Sequence, residues 1–468
     1  MEDPPRTNDT DHVAPSPLLS PAAPATAVTD GHLASAFSWM IWRSRWVDIP
    51  EGEDAESSDY LATQQGRDAQ GIEWTRTRYT RPEYRQLRLN TYHNYLNLGS
   101  SVTAAANTLK DQCLVTVKRG RFYDFSWRRR QANSSIVHFQ LRNLVWAGPH
   151  AHQVFYCVND QVRRYDAGVD LDDLVLDLSW HHASCQVPSV GHVQISCMSV
   201  FHDLVAVGGF HGEFILRHLH HPAGQLMWSD RLSHGENAIT NALEMTHARS
   251  GAVLAVAANN DAHVRVVDVE RGVTLHDLTL DWSVNYAAVH PDNPNLILVV
   301  GDDPTGYVLD VTKASDGRTE SSSWRSHVVY ELKGHLDYSF AAAWHPQGGR
   351  LLATGNQDGT ARVWDARYVD GQASAACLRG QVGAIRSLRF SPCGQYLAGA
   401  EPADFVHLWS LNAGIIHEQE IDLFGEIAGI SFTPQGDGLY VGLSDPLFGG
   451  MLYYQKSQDP RCTDEILF

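Results

Sequence analysis

Residues 333–365 read KGHLDYSFAAAWHPQGGRLLATGNQDGTARVWD and contain three apolar runs of strand length. The runs are Phe340 to Trp344, Leu351 to Thr354 and the segment that ends at Trp364. The breaks between them carry Pro, Gly, Asn and Asp, which form tight turns with little strain. The stretch therefore predicts antiparallel strands joined by short turns.

Turn residues recur at similar spacing along the chain. A turn Asp precedes a strand-ending Asp by seven residues in three places, and four X-Pro turns lie 55, 46 and 42 residues apart. The longest step contains the polar insertion 313–326, which predicts a loop on one rim. A period of roughly 40–45 residues is typical of WD-repeat β-propellers, in which each repeat makes a four-stranded blade. The Asp pairs are Asp261 and Asp268, Asp303 and Asp310, Asp358 and Asp365, and the turns are His290-Pro291, His345-Pro346, Ser391-Pro392 and Thr433-Pro434.

These patterns predict an all-β, seven-bladed WD-repeat β-propeller with a disordered N-terminal tail and a partly helical N-terminal arm. Repeats from residue 133 to 456 make about seven blades at this period, and six or eight stay open. The first blade is expected to open with a strand from Val137 to Trp146. Because propellers rarely leave an unpaired edge, an N-terminal strand should complete the last blade. Ser135 to Phe139 and Phe122 to Trp127 are the two candidates.

Composition divides the chain into four parts. Residues 1–35 are rich in Pro and Ala and predict a disordered tail. Residues 36–110 form an arm with short helices, residues 111–458 form the propeller, and residues 459–468 form a C-terminal tail. Within the arm, residues 36–49 place three Trp at helical spacing, which predicts a helix that docks on a partner or on the propeller itself. A second helix is predicted from Pro82 to Leu98, with Pro near its first position.

The 468 residues carry a formal net charge of −18. This charge argues against binding to a nucleic-acid backbone, which requires a surplus of Lys and Arg. No apolar run approaches the ~20 residues that span a bilayer, so we expect no membrane span. The seven Cys are scattered and contain no C-x-x-C pair, which suits a reduced compartment and predicts no zinc site. We expect an intracellular protein, in the cytoplasm, the nucleus or both, without a cofactor or a metal.

The chain also resembles a WD-repeat family of fungi and plants, largely uncharacterised biochemically, from about residue 65 to its end. The resemblance implies a seven-bladed, non-catalytic interaction protein and supplies no substrate. It rests on QGRDAQGIEW (65–74), SIVHFQLRNLVWAG (135–148), GHLDYSFAAAWHP (334–346), ATGNQDGTARVWD (353–365), AEPADFVHLW (400–409) and EIDLFGEIAGISFTP (420–434).

Four side chains at fixed offsets predict a structural clamp within one blade. The Trp364 indole, the Thr354 hydroxyl, the His335 ring and the Asp358 carboxylate can form one chain of hydrogen bonds that ties the inner strands to the entering loop. A nucleophile, a base and its orienting acid would be the catalytic alternative. The structural interpretation is favoured because these residues fall on the repeat's structural offsets and no oxyanion-hole or nucleophile-elbow signal accompanies them.

The leading functional hypothesis is a rigid, non-enzymatic scaffold that binds other proteins or peptide segments. Loops that converge on a rigid frame are where binding usually occurs, so we expect contacts on the top face of the ring. Each candidate is also explained as ordinary surface. The candidates are Asn260, Asn285, Tyr286, Tyr338, Gln357 and Arg386.

A second hypothesis is a substrate receptor of a cullin-4 RING ubiquitin ligase. Residues 352–367 are similar to the box with which WD-repeat receptors dock on the adaptor of these ligases. The box ends in W-D-x-R, where Asp365 and Arg367 would bind the adaptor through charge-assisted bonds. The alternative is that the motif arises in any well-formed blade whose outer turn carries a cation.

Two further classes have less support. A propeller enzyme would need a catalytic or metal site, yet His181-His182 and His220-His221 lack a third ligand at a recognisable offset. A nucleic-acid role would use the basic patch of residues 118–130, which is better explained by solvated strand faces and acidic neighbours.

Overall fold

The computed structural model describes residues 57–59, 63, 66–94, 96–98, 108–179, 190–221, 225–313, 324–368, 374–411 and 416–458. The predicted disordered tail 1–35, the predicted docking helix 36–49 and the C-terminal tail 459–468 lie outside these ranges. So does most of the insertion 313–326. Strands dominate the described residues, as the repeat pattern predicts.

The strands are numbered in chain order. They are β1 Ser57–Asp59, β2 Tyr123–Arg129, β3 Val145–Ala147, β4 Gln153–Val158, β5 Gln161–Asp166, β6 Leu171–Asp177, β7 Ile195–Phe201, β8 Leu204–Gly209, β9 Glu213–His218, β10 Trp228–Arg231, β11 Thr240–His247, β12 Val253–Asn259, β13 His263–Asp268, β14 Val273–Thr279, β15 Val284–Val289, β16 Leu296–Gly301, β17 Asp303–Asp310, β18 Val328–Leu332, β19 Ser339–Trp344, β20 Leu351–Asn356, β21 Thr360–Asp365, β22 Ala376–Arg379, β23 Ser387–Phe390, β24 Tyr396–Ala400, β25 Ala403–Ser410, β26 Glu418–Phe432, β27 Gly438–Ser444 and β28 Gly450–Lys456.

Five antiparallel sheets of four consecutive strands run from β3 to β22. The remaining strands form one eight-stranded sheet in the order β1-β2-β28-β27-β26-β25-β24-β23. Its central strand, β26, is 15 residues long and serves two blades, because its first part pairs with β25 and its second part with β27. The sheet therefore contains one blade of β23 to β26 and another of β26, β27, β28 and β2.

The inner strands close a ring. Strands β3, β7, β11, β15, β19, β23 and β26 contact each other in that order, and β26 also contacts β3. The all-β propeller fold is therefore confirmed. We count blades along this ring from the one that begins with β3, so that β19 to β22 form the fifth, β23 to β26 the sixth and β26 to β2 the seventh.

Strand β2 completes the seventh blade by pairing with β28. It corresponds to the second of the two closure candidates, Phe122 to Trp127. The predicted strand from Val137 to Trp146 is wrong over most of its length, since the first blade begins only at Val145. Residues 135–144 form single bonds to different strands instead of a ladder, as in Ser135 N–H to Cys157 O on β4 and Leu144 N–H to Ala428 O on β26. The fourth place of the seventh blade is already filled by β2.

The α-helix α1 (Arg81–Thr91) lies in the arm. Thr80 and Glu83 form a capping box at its start, which matches the predicted start within one residue. The helix ends seven residues before the predicted Leu98. Beyond it the chain is bound to the fifth blade, where Asn94 Nδ2 donates to Gln357 O at 2.8 Å and Asn97 N–H donates to Asp337 at 2.9 Å. These tertiary bonds take the place of a further helical turn.

Ion pairs fix α1 on the ring. Arg85 and Arg88 both donate to the buried carboxylate of Asp404, at 2.8 Å from Arg85 Nη1 and 2.5 Å from Arg88 Nε. The Arg85 guanidinium also lies 4.3 Å from the centre of the Phe424 ring. Because Asp404 accepts from two cations inside the contact, these bonds are stronger than bonds between neutral groups.

Candidate functional site

The clamp predicted in the fifth blade is assembled from its inner strands and its entering loop. Trp364 Nε1 donates to Thr354 Oγ1 at 3.0 Å, Thr354 Oγ1 lies 2.8 Å from His335 Nε2, and His335 Nδ1 lies 3.1 Å from Asp358 Oδ2. Burial opposes ionisation of Asp358, but His335 and its other donors lower its pKa below the ordinary value. An ionised Asp358 only accepts, so His335 Nδ1 donates to it, and in the neutral ring Nε2 is then the acceptor for the Thr354 hydroxyl. The chain of bonds is therefore directed from Trp364 and Thr354 toward His335, and from His335 to Asp358.

Replacement of Thr354 by valine should lower the free energy of unfolding by about 1–3 kcal/mol, because the Trp364 N–H and the His335 ring lose a buried partner. Thr354→Ser, which keeps the hydroxyl, is the matched control and should lose less. Urea unfolding measures both values. A larger loss in Thr354→Ser than in Thr354→Val would show that the methyl group, and not the hydroxyl, stabilises the blade.

The sixth blade holds its entering loop with other residues. Gly399 stands at the strand position of Thr354, and Trp409 Nε1 has no hydrogen-bond partner among the described residues. Instead, His407 lies between two carboxylates, 2.8 Å from Glu401 Oε1 and 2.7 Å from Glu418 Oε1. Glu401 accepts the N–H groups of residues 381, 382 and 383 at 2.5–2.7 Å, so it ties down this loop as Asp358 does in the fifth blade.

Burial disfavours the charged form of His407, but its hydrogen bonds to Glu401 and Glu418 raise its pKa to about 9. His407 is therefore a buried imidazolium at neutral pH. His407, Glu418 and Glu420 also lie close enough together to share a metal ion. Their ligand atoms already have protein partners, because Glu420 binds Lys118 at 2.8 Å and Gln381 at 2.7 Å. The cluster is explained as a structural ion network.

Polar side chains near the starts of the inner strands bind the backbone of a neighbouring blade. Ser196 Oγ donates to Thr240 O at 2.6 Å, Asn241 Nδ2 to Val284 O at 2.8 Å, and Asn285 Nδ2 to Ser339 O at 3.1 Å. These bonds form a belt along the inside of the ring from the second to the fifth blade. The belt explains why polar residues are buried at strand positions that usually carry apolar ones.

A small cavity lies inside this belt, with a volume of about 10 Å³. Two arginines that line it differ in how they are bonded. Arg389 donates to the Tyr286 hydroxyl at 2.7 Å and to Asn143 Oδ1 at 2.5 Å. Arg386 donates to Gln357 Oε1 at 2.6 Å, but its Nε and Nη1 have no hydrogen-bond partner among the described residues.

Arg386 is 6% exposed, and its guanidinium lies 4.6 Å from the centre of the Phe340 ring. Burial and the neighbouring Arg142 lower the pKa of Arg386 to about 9, so it stays charged at neutral pH. Arg142 has a carboxylate partner, Glu426, at 3.2 Å. The described contacts give Arg386 only a neutral amide, and the cavity therefore holds a cation with spare donors.

The structure brings the six predicted top-face residues to one end of the ring but leaves few of them free. Asn285, Tyr286 and Arg386 line the cavity, and Gln357 joins Arg386 to Asn94 of the arm. Asn260 Oδ1 lies 3.4 Å from Asn241 Nδ2. Tyr338 is half-buried beside Asp337. A role of these residues in binding stays a prediction.

Sequence reasoning missed Arg142, Asn143, Asn241 and Arg389 as part of this group. Arg142 and Asn143 fall in the stretch interpreted as a strand, and Arg389 lies 246 residues from its partner Asn143. A polar residue near the start of each inner strand was the available signal, because strands buried on both faces are otherwise apolar.

Asp365 of the W-D-x-R box is the half-buried last residue of β21, and Arg367 lies in the exposed turn that follows. Arg367 Nη2 donates to Asp365 Oδ2 at 2.7 Å, and its guanidinium lies 4.9 Å from the Tyr368 ring. The Arg367 hydrogen bond is the main reason why the pKa of Asp365 falls well below its usual range. The two residues thus bind each other within the chain.

The basic patch of residues 118–130 is largely bonded within the protein. Lys118 pairs with Glu420, and Arg128 is buried and donates to the Gly449 carbonyl at 2.6 Å and 2.9 Å. Arg129 donates to the Tyr165 hydroxyl and to Asp170. These contacts fit the structural interpretation of the patch. No helix in the described ranges is long and apolar enough to cross a membrane.

Residues 326–365 match the family described as WD domain, G-beta repeat. A chain in the crystal structure of the mitotic checkpoint complex matches with a TM-score of 0.54 and 17% identity, over 70% of this chain and 93% of its own. The chain is a β-propeller that contains a WD repeat. At this identity the structural match shows the fold of the propeller and nothing further.

Curated relatives of the propeller include subunits and factors of larger processes. Pre-mRNA-processing factor 19 homolog 2 of Arabidopsis thaliana is 27% identical over 54% of this chain and 44% of its own length. Eukaryotic translation initiation factor 3 subunit I of Culex quinquefasciatus is 31% identical over 27% of this chain and 39% of its own length. The chain therefore spans less than half the length of these two relatives.

Proposed function

We propose that the propeller is a non-enzymatic scaffold that binds protein segments, and that Arg386, which lines its central cavity, pairs with an acidic side chain of the partner. The observation that carries this proposal is Arg386, a buried cation with two N–H groups free of partners among the described residues. A buried donor without a partner costs about 1–3 kcal/mol, and more when it is charged. A carboxylate placed between Arg386 and the asparagine carboxamides that line the cavity would remove that cost.

The charge of the chain makes such binding selective. The net charge of −18 repels acidic segments from the surface as a whole. A carboxylate gains attraction only where cations outnumber acids, and Arg142, Arg386 and Arg389 lie together in the cavity. An acidic segment should therefore bind at this place or not at all, whereas basic partners can bind elsewhere on the surface.

Arg386→Met should weaken the binding of a fluorescein-labelled peptide of alternating glutamate and glycine by about tenfold or more, since a charge-assisted hydrogen bond contributes about 1.5–3 kcal/mol. Fluorescence anisotropy at low and physiological salt measures the affinity. The same peptide with glutamine in place of glutamate should not bind.

Arg350→Met is the matched control, because Arg350 is exposed and, among the described residues, pairs with Asp365 near the W-D-x-R turn. It removes the same charge from the surface and should leave the affinity unchanged. Equal affinity of the wild type and Arg386→Met for the glutamate peptide, or equal binding of the two peptides, would refute a carboxylate site at Arg386.

A cullin-4 ligase adaptor as partner stays a prediction that rests on the W-D-x-R motif alone. In the structure Arg367 is bound to Asp365, so docking would have to keep or replace that pair. An intracellular location is supported by the relatives, which are a pre-mRNA-processing factor homolog and a subunit of a translation initiation factor.

A further inference from the structure

Two cysteines from distant parts of the chain face each other at the edge of the fifth blade. Cys113 follows the helical residues 108–112, and Cys377 lies on β22, the outer strand of the blade. Their sulfur atoms are 3.3 Å apart, although 264 residues separate them in sequence. The Leu114 N–H donates to Cys377 O at 2.8 Å, so the backbone on either side of the pair is already held in place.

We propose that Cys113 and Cys377 are a redox pair that forms a reversible disulfide when the protein meets a peroxide. A disulfide has an S–S distance of about 2.0 Å, so the sulfur atoms must approach by about 1.3 Å. The anchored backbone leaves this movement to the two side chains. Closure would fasten residues 108–114 covalently to the outer strand of the fifth blade.

The surroundings give the two thiols different roles. Cys113 is half-exposed, whereas Cys377 is buried. The hydrogen bond from Cys377 lowers the pKa of Cys113 to about 7 against the opposing effect of burial, and Arg379 and Arg362 add to the lowering. The same hydrogen bond and burial raise the pKa of Cys377. Cys113 is therefore the thiolate that meets the oxidant, and Cys377 is the thiol that resolves the product.

The reaction balances with peroxide as the only added oxidant. The Cys113 thiolate attacks one peroxide oxygen, the O–O bond breaks, and the departing hydroxide takes a proton to become water. Cys113 is then a sulfenic acid. Cys377 attacks the oxidised sulfur, the S–O bond breaks, and a second water leaves as the disulfide forms. Two thiols and one peroxide thus give one disulfide and two waters.

Peptide mapping tests the proposal directly on the full chain. After treatment with hydrogen peroxide and blocking of free thiols, trypsin should release peptides 111–118 and 368–379, each with a single Cys, joined to each other. Dithiothreitol should separate them. In Cys377→Ser, dimedone should label Cys113 as a sulfenic acid, whereas the wild type should escape labelling because Cys377 resolves it.

Cys393→Ser is the matched control, since Cys393 is half-buried and lies beside Ser391. This variant should form the link as the wild type does. Cys157 and Cys197 should stay unmodified in the folded protein because burial raises the pKa of both. Oxidation of Cys113 to a sulfinic acid without the joined peptides, or linkage of Cys113 to another cysteine, would overturn the proposal.

Discussion

Replacement of His407 by leucine should lower the free energy of unfolding by about 3–5 kcal/mol, because it leaves Glu401 and Glu418 buried without their cation. Both carboxylates are held within 2.8 Å of the imidazole, and the ring and the carboxylates are almost fully removed from solvent. The loop that enters the sixth blade depends on Glu401, so this loop should open first. Urea unfolding and hydrogen exchange of residues 381–383 measure the two effects.

A triple variant separates charge from packing. His407→Leu combined with Glu401→Gln and Glu418→Gln removes all three charges, and the carboxamide introduced at position 401 keeps an oxygen that can accept the loop N–H groups. This variant should recover much of the stability lost by His407→Leu alone. If it is no more stable than the single variant, the loss comes from lost packing against Trp409, whose ring stacks on His407 at 5.2 Å.

The same ion network of His407, Glu401 and Glu418 should make the stability of the protein depend on pH. The folded pKa of His407, about 9, lies above the ordinary value of 6.5. The contribution of His407 to the free energy of unfolding is therefore complete below about pH 6.5 and is lost as the pH rises through 9. The difference between the folded and ordinary pKa values corresponds to about 3 kcal/mol. The pKa of Glu418 is lowered, so its contribution is present above pH 4.5 and is lost in acid. In the triple variant, the stability should show neither the loss at high pH that comes from His407 nor the loss in acid that comes from Glu418.

Replacement of Asp404 by asparagine should release α1 from the ring and cost about 3–5 kcal/mol, because Arg85 and Arg88 lose their shared buried carboxylate. Asparagine keeps the size of the side chain. It also tolerates the backbone of this position, where φ is 73°. Trypsin should then cleave after arginines of residues 76–88 much faster than in the wild type.

Arg121→Ala is the control for this variant, since Arg121 and Asp124 form an exposed pair three residues apart. Exposed pairs contribute about 0–1 kcal/mol, so this change should leave both the stability and the cleavage pattern almost unchanged. If Asp404→Asn behaves in the same way, apolar contacts such as those of Tyr84 with Phe424 hold the arm, and the ion pairs do not.

The inner three strands of most blades could be predicted from the sequence. Strand β19, Ser339–Trp344, contains the predicted run Phe340 to Trp344, because this run is uninterrupted and its residues are buried on both faces. The outer strands could not be predicted in this way. Strand β14, Val273–Thr279, is mostly exposed on both faces, so its composition does not differ from that of a loop.

The candidate site was predicted in part. Arg386 was chosen as a loop residue on the top face, but its burial and its spare donors depend on the geometry of the closed ring. In the sequence, nothing distinguishes His407 except its position directly before Leu408-Trp409. Its carboxylate partners come from another turn and another strand, and local sequence patterns do not specify such long-range pairs. The sequence could therefore indicate where polar residues occur but not which of them meet.

The pairing of β2 with β28 has a consequence for how the protein is made. Strand β2 leaves the ribosome more than 300 residues before its partner, since Arg128 is separated from Gly449 by 321 positions. During most of translation this strand has an unpaired edge, and pairings between distant residues form slowly. The nascent chain must therefore keep Tyr123 to Arg129 from pairing with other strands until synthesis has passed residue 456.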